Sequence, residues 1–101
     1  MRPPLIVSRH AGAIQWLRET FPQLVHAEVL EQVTAQQVEG RIVVGNLPLH
    51  LAARCGEYYA LEFTGSPPRG TEYGPDEMRA AGAHLARYIV LHRSGGWLTQ
   101  S

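Results

Sequence analysis

Leu5-Ile6-Val7-Ser8-Arg9-His10-Ala11-Gly12-Ala13 is where the chain first declares its architecture. Three successive apolar residues make a short strand of the kind that is covered on both faces. They run directly into a polar, basic turn that ends in glycine. A helix then fits Ala13 to about Thr20, with Ile14, Leu17 and Phe21 on one face and Pro22 closing it. The same grammar recurs at Arg41-Ile42-Val43-Val44-Gly45, a β-branched strand, followed by Asn46-Leu47-Pro48-Leu49-His50-Leu51-Ala52-Ala53-Arg54. Asn46 reads there as the N-cap of a short helix, with proline in its first turn and Gly56 beyond its end.

Between these two units, Leu24 to Leu30 reads as a half-exposed second strand, and Val33-Thr34-Ala35-Gln36-Gln37 as a single helical turn. Tyr58 to Phe63 is a fourth strand. Thr64 to Gly74, rich in glycine and proline, is a loop. Pro75-Asp76-Glu77 then starts a last and longest helix, its stripe running through Met78, Ala81, Leu85, Tyr88 or Ile89, and His92 until Ser94-Gly95-Gly96 breaks it. The expected fold class is therefore α/β: one domain over residues 1–93 and a tail over 94–101. Its four-stranded, mainly parallel sheet has order 2-1-3-4 and carries helices on both faces.

Composition bounds what such a domain can be. With 101 residues, the chain has room for one modest core. No apolar run approaches the ~20 residues of a membrane span, and Leu5 to Val7 is too short for a signal-peptide core. The single cysteine, Cys55, supplies neither an internal disulfide nor a Cys-rich zinc site. A reducing cytoplasmic compartment is the expectation. Nine basic residues balance nine acidic ones, which argues against coating long nucleic acids by bulk charge. All nine basic residues are arginine. That is either codon bias or a preference for the planar fork that grips phosphate.

In a doubly wound sheet, ligands sit beyond the carboxyl ends of the strands, where connections diverge to opposite faces. Here that crevice lies between the first and third strands. Ser8-Arg9-His10-Ala11-Gly12, Gly45-Asn46-Leu47-Pro48-Leu49-His50 and Thr64 to Gly70 all gather there. The opposite ends carry the less distinctive Gln23, Glu39 and Glu57. Helix starts after Gly12 and Asn46 would offer free N–H groups to an anion, joined by Arg9 and Arg69. Each residue also has a plainer reading. Ser8 could only cap the turn, Arg9 and His10 could be solvated, His50 could cap or pack, and Gly12 and Gly45 could serve close packing. His26, His84 and His92 read as structural or solvated, and Tyr58 and Tyr59 as core. Cys55 has no base beside it in sequence and is not read as a nucleophile. Neither loop at the first and third strand ends carries a carboxylate beside its histidine. No His-x-x-x-His, G-x-G-x-x-G, P-loop or G-x-S-x-G occurs, so metal, dinucleotide, NTPase and esterase sites have no motif.

Ser8-Arg9-His10-Ala11-Gly12-Ala13-Ile14-Gln15-Trp16-Leu17, taken with Gly45-Asn46-Leu47-Pro48-Leu49-His50-Leu51-Ala52-Ala53, resembles a small family of accessory proteins of type III CRISPR systems, usually called Csx-sixteen. Gly82-Ala83-His84-Leu85 and Tyr88-Ile89-Val90 resemble the same family's last helix, so the likeness runs over about residues 5 to 91. The resemblance implies a Rossmann-like domain related to the CARF domains that bind cyclic oligoadenylates, acting as a homodimer. The implied activity is that of a ring nuclease opening cyclic tetra-adenylate to linear di-adenylate. Such chemistry needs no metal or cofactor, because the RNA's own 2′-hydroxyl can attack the adjacent phosphorus. Under this reading Arg9, Gly12, Gly45, Asn46, Leu47 and Arg69 hold the ligand. His10 and His50, with Ser8, are the candidate catalytic residues. A binding protein that sequesters the ring without cutting it would need the arginine and the amides but not the histidines.

Overall fold

Leu5 and Ile6 are both completely buried, and they point into different cores. Adjacent residues of a strand face opposite ways, so this strand must lie between two layers. The computed structural model describes residues 2–67 and 73–98 and shows those layers. Its strands are β1 (Leu5–Val7), β2 (Glu28–Leu30), β3 (Ile42–Gly45), β4 (Glu57–Phe63) and β5 (Ala83–Tyr88). The helices are α1 (Ala11–Thr20), α2 (Ala35–Val38), α3 (Leu49–Ala52) and α4 (Pro75–Ala80), with a 3-10 turn at Pro22–Leu24. The sheet has the order β2-β1-β3-β4-β5. Its first four strands are parallel, and β5 lies antiparallel to β4.

On one face Ile6 and Val44 pack against Ala13, Trp16 and Leu17 of α1 and Met78 of α4. On the other face Leu5 and Val43 meet Val38 of α2, while Tyr58 and Ala60 meet Ala52 of α3. The connections leaving β1 and β3 thus turn to opposite sides, which makes the β1–β3 boundary the switch point of the sheet. The expected strand order holds, with one strand added. Thr34 closes a capping box with Gln37 at the start of α2, where a single helical turn was expected.

Three expectations fail. The long last helix does not form: α4 stops at Ala80, and residues 83–88 pair with β4 over six registered positions from Phe63↔Ala83 to Tyr58↔Tyr88. Gly82, at φ +74°, makes the turn between them, and a Cβ there would lie 1.8 Å from Thr64 Oγ1. The alanines and spaced apolar residues of this segment suit a helix, but the open edge of β4 offers a full hydrogen-bond ladder and wins. In consequence Tyr88 and Ile89 face water rather than the core, at 46% and 83% exposure. Second, the strand expected over Leu24–Leu30 is confined to Glu28–Leu30, because Pro22 sets a 3-10 turn instead. Third, Asn46 caps no helix. It stands in an irregular connection, and the four-residue α3 begins after Pro48.

Arg41 is an unanticipated buried group. It is 5% exposed and donates to Glu28 Oε1 at 3.1 Å and to the Pro3 carbonyl at 2.8 Å, tying β2 and the chain's start to the foot of β3.

Candidate functional site

Val7 stands opposite Gly45 in the parallel β1–β3 register, so Ser8 and Asn46 leave neighbouring strands at the same edge. That approach is tight: a Cβ on Gly45, which sits at φ +146°, would come within 2.4 Å of the Val7 carbonyl oxygen. Only glycine fits there. The two segments singled out in the sequence therefore do emerge side by side. Each is free of carboxylates over residues 8–12 and 45–51.

On the β1 side, Ser8 Oγ accepts the His10 N–H at 3.1 Å, which folds the turn and sets His10 as the N-cap of α1. Arg9, between them, is exposed. The first turn of α1 carries no acidic residue and no side-chain cap, so its N–H groups and positive dipole end face the rim. The helix starts at Ala11, two residues earlier than expected, and Gly12 lies inside it. A Cβ on Gly12 would lie 1.8 Å from the Tyr73 carbonyl oxygen, so this glycine lets the chain ahead of α4 pack on α1. The Tyr73 ring lies 5.4 Å from the His10 imidazole, tilted by 35°. Burial pushes the Tyr73 phenol up from its usual value.

On the β3 side, the Leu47 N–H donates to the hydroxyl of buried Tyr58 at 2.9 Å. This bond fixes the path of the connection and engages the amide expected to meet a ligand. Asn46 and His50 are exposed, His50 within α3 on the face opposite α1. With only four residues, α3 adds no useful dipole, so the expected second anion-binding helix start is absent. Arg69 lies outside the described residues.

The rim holds more than sequence reading found. Glu62 and His84 face each other across β4 and β5, at the same carboxyl edge of the sheet. His84 Nδ1 lies 2.9 Å from the Gly82 carbonyl oxygen and Nε2 lies 3.6 Å from Glu62 Oε1, while the Tyr88 hydroxyl donates to the same carboxylate. His84, read as remote from the crevice while it was assigned to a helix, belongs to the rim as a strand residue. The alternation of Ala83, Leu85 and Arg87 with His84, Ala86 and Tyr88 was the available signal.

A concavity opens at the other end of the sheet, and none of Ser8, Arg9, His10, Asn46 or His50 lines it. It measures about 350 Å³ and is lined by Phe21, Leu24, Ile42, Val44, Tyr59 and Leu85, with Glu57 at its side. Its walls are mostly hydrocarbon, and it lies at the amino ends of the strands, away from the switch point. Among the described residues no group of three or more His, Cys, Asp or Glu side chains is placed to share a metal ion. Nor is any helix among them long and apolar enough to cross a membrane.

Comparison with known proteins adds one finding. A family described as "Putative CRISPR-associated protein (Cas_VVA1548)" matches residues 5–91, which span every strand and helix above. No curated protein and no solved structure matches the chain.

Proposed function

Because the chain belongs to this CRISPR-associated family, we propose that it is a ring nuclease of type III defence that binds cyclic tetra-adenylate in the cytoplasm and opens it to linear di-adenylate. The observation that carries the reading is the β1–β3 edge, where an acid-free turn, Arg9 and the uncapped start of α1, with Tyr73 packed beside it, converge at the switch point. That combination favours an anion in a protein of zero net charge. The domain is of the CARF-like kind under this reading. A second copy related by twofold symmetry places two such edges around one ring of phosphates. Arg9 and the α1 amides neutralise phosphoryl oxygens, Gly12 and Gly45 let backbone approach, and Ser8 and Asn46 hydrogen-bond the ligand. His10 and His50 are the candidates for taking the 2′-hydroxyl proton.

Incubation of the purified protein with labelled cyclic tetra-adenylate, with and without chelator, tests this. Chelator-resistant conversion to di-adenylate ending in a cyclic phosphate is the expected result. Tight retention of intact ring would instead make the protein a sponge. Absence of binding would end both readings. Arg9→Ala should weaken binding by roughly 10- to 100-fold, the worth of a charge-assisted contact to phosphate.

A further inference from the structure

We infer that His84, oriented by Gly82 and partnered by Glu62, is the acid that protonates the leaving oxygen when the ring opens. The inference rests on the ring-nuclease reading and assigns a residue that its candidates, His10 and His50, do not include. Ring opening has two proton movements. The 2′-oxygen loses its proton as it bonds to phosphorus, and the 5′-oxygen gains one as the P–O5′ bond breaks, leaving a 2′,3′-cyclic phosphate and a 5′-hydroxyl. The first half needs a base and the second an acid, and one imidazole cannot stand at both oxygens in a single in-line step.

His84 is built for the second role. The Gly82 carbonyl oxygen can only accept, so the 2.9 Å contact requires the proton to be on Nδ1. That bond fixes the tautomer and leaves Nε2 as the nitrogen that exchanges protons. Nε2 faces Glu62 Oε1 at 3.6 Å, and the carboxylate is itself held by the Tyr88 hydroxyl. In the imidazolium form the Nε2 proton lies in the field of the Glu62 carboxylate until the leaving 5′-oxygen draws it off. Water then reloads the neutral ring. The His84 side chain is 44% exposed, enough to meet a ligand, whereas a histidine spent on core packing would be covered. Its position also fits. Tyr59 pairs with Val44, so Glu62, three residues further along β4, projects beyond the end of β3 on the rim. Alternation puts Glu62 on the face of Tyr58 and Ala60, which is the α3 face.

Cleavage and binding of labelled cyclic tetra-adenylate are measured separately, under single turnover, for wild type, His84→Ala, His84→Asn and Glu62→Gln. The asparagine amide can still donate to Gly82 but cannot exchange a proton, and thermal melting reports on folding. Both His84 variants should bind the ring within about threefold of wild type yet cut it at least ~100-fold more slowly. Added imidazole should restore part of the His84→Ala rate, which a merely structural defect would not allow. Glu62→Gln should slow cutting by about tenfold. If wild type cuts and folded His84→Asn cuts equally fast, or if imidazole rescues nothing, His84 is not the acid and the ring-nuclease reading survives. If wild type neither binds nor cuts, that reading falls and takes this assignment with it.

Discussion

Arg41 and Cys55 show how much single side chains inherit from their surroundings. Replacing Arg41 by methionine keeps most of its buried stem but removes both of its hydrogen bonds, leaving the Pro3 carbonyl without its donor. Glu28 stays half in water, so the loss should be about 1–3 kcal/mol rather than that of an isolated buried charge. Urea unfolding of Arg41→Met should show a lower midpoint with an unchanged slope; an unchanged midpoint would mean the bonds contribute nothing net. Burial pushes the Cys55 thiol above its ordinary value, and the thiol also faces the Leu51 carbonyl oxygen at 3.5 Å. Alkylation at pH 7.5 should therefore be slower than that of a free thiol and should accelerate on unfolding. Fast labelling of native protein would contradict this placement.

At the scale of elements, β5 carries the clearest tests. Gly82→Ala forces a positive φ on an alanine and drives its Cβ into Thr64, so the turn must distort for β4 and β5 to stay paired. A loss of about 1–3 kcal/mol is expected, lowering the melting temperature by roughly 4–8 °C per kcal/mol. Had this segment been helical, the same change would have stabilised it. Tyr88 supplies a pH signature for the same hairpin. Its hydrogen bond to Glu62, with smaller help from desolvation and from nearby charge, holds the phenol above its usual value. A group raised in the folded state adds stability that is whole below its unfolded value, near pH 10, and is lost as pH climbs through the folded one. Melting temperature should thus fall more steeply as pH rises above 10 in wild type than in Tyr88→Phe. Coincident curves would mean the bond does not form in solution.

For the whole molecule, the radius of gyration is 15.0 Å, against about 13 Å for a compact domain of this length. After β5, residues 89–98 form neither helix nor strand and expose Ile89, Leu91, Trp97 and Leu98. The two tryptophans report on this directly. Trp16 is 4% exposed and packs edge-on to Phe21, whereas Trp97 is 94% exposed. Acrylamide quenching should resolve a protected, blue-shifted population and an accessible, red-shifted one, with Trp97→Phe removing the second. Protection of Trp97 that grows with protein concentration would show the tail being covered by another copy.

Sequence by itself determined the β-α-β order, the strands around Ile6, Val43 and Tyr59, and the edge where Ser8 and Asn46 emerge. Those strands are written in unbroken apolar runs, and parallel connections of one hand leave few ways to arrange them. It could not settle residues 83–88, because alanine-rich local preference favours a helix while the competing bonds lie about twenty-five residues away on β4. Tertiary structure alone decided that Tyr73 covers the start of α1, that Arg41 is buried, and that His84 stands on the rim beside Glu62. In each case the deciding interaction joins residues far apart in the chain, and such partners leave no periodicity for local pattern to show.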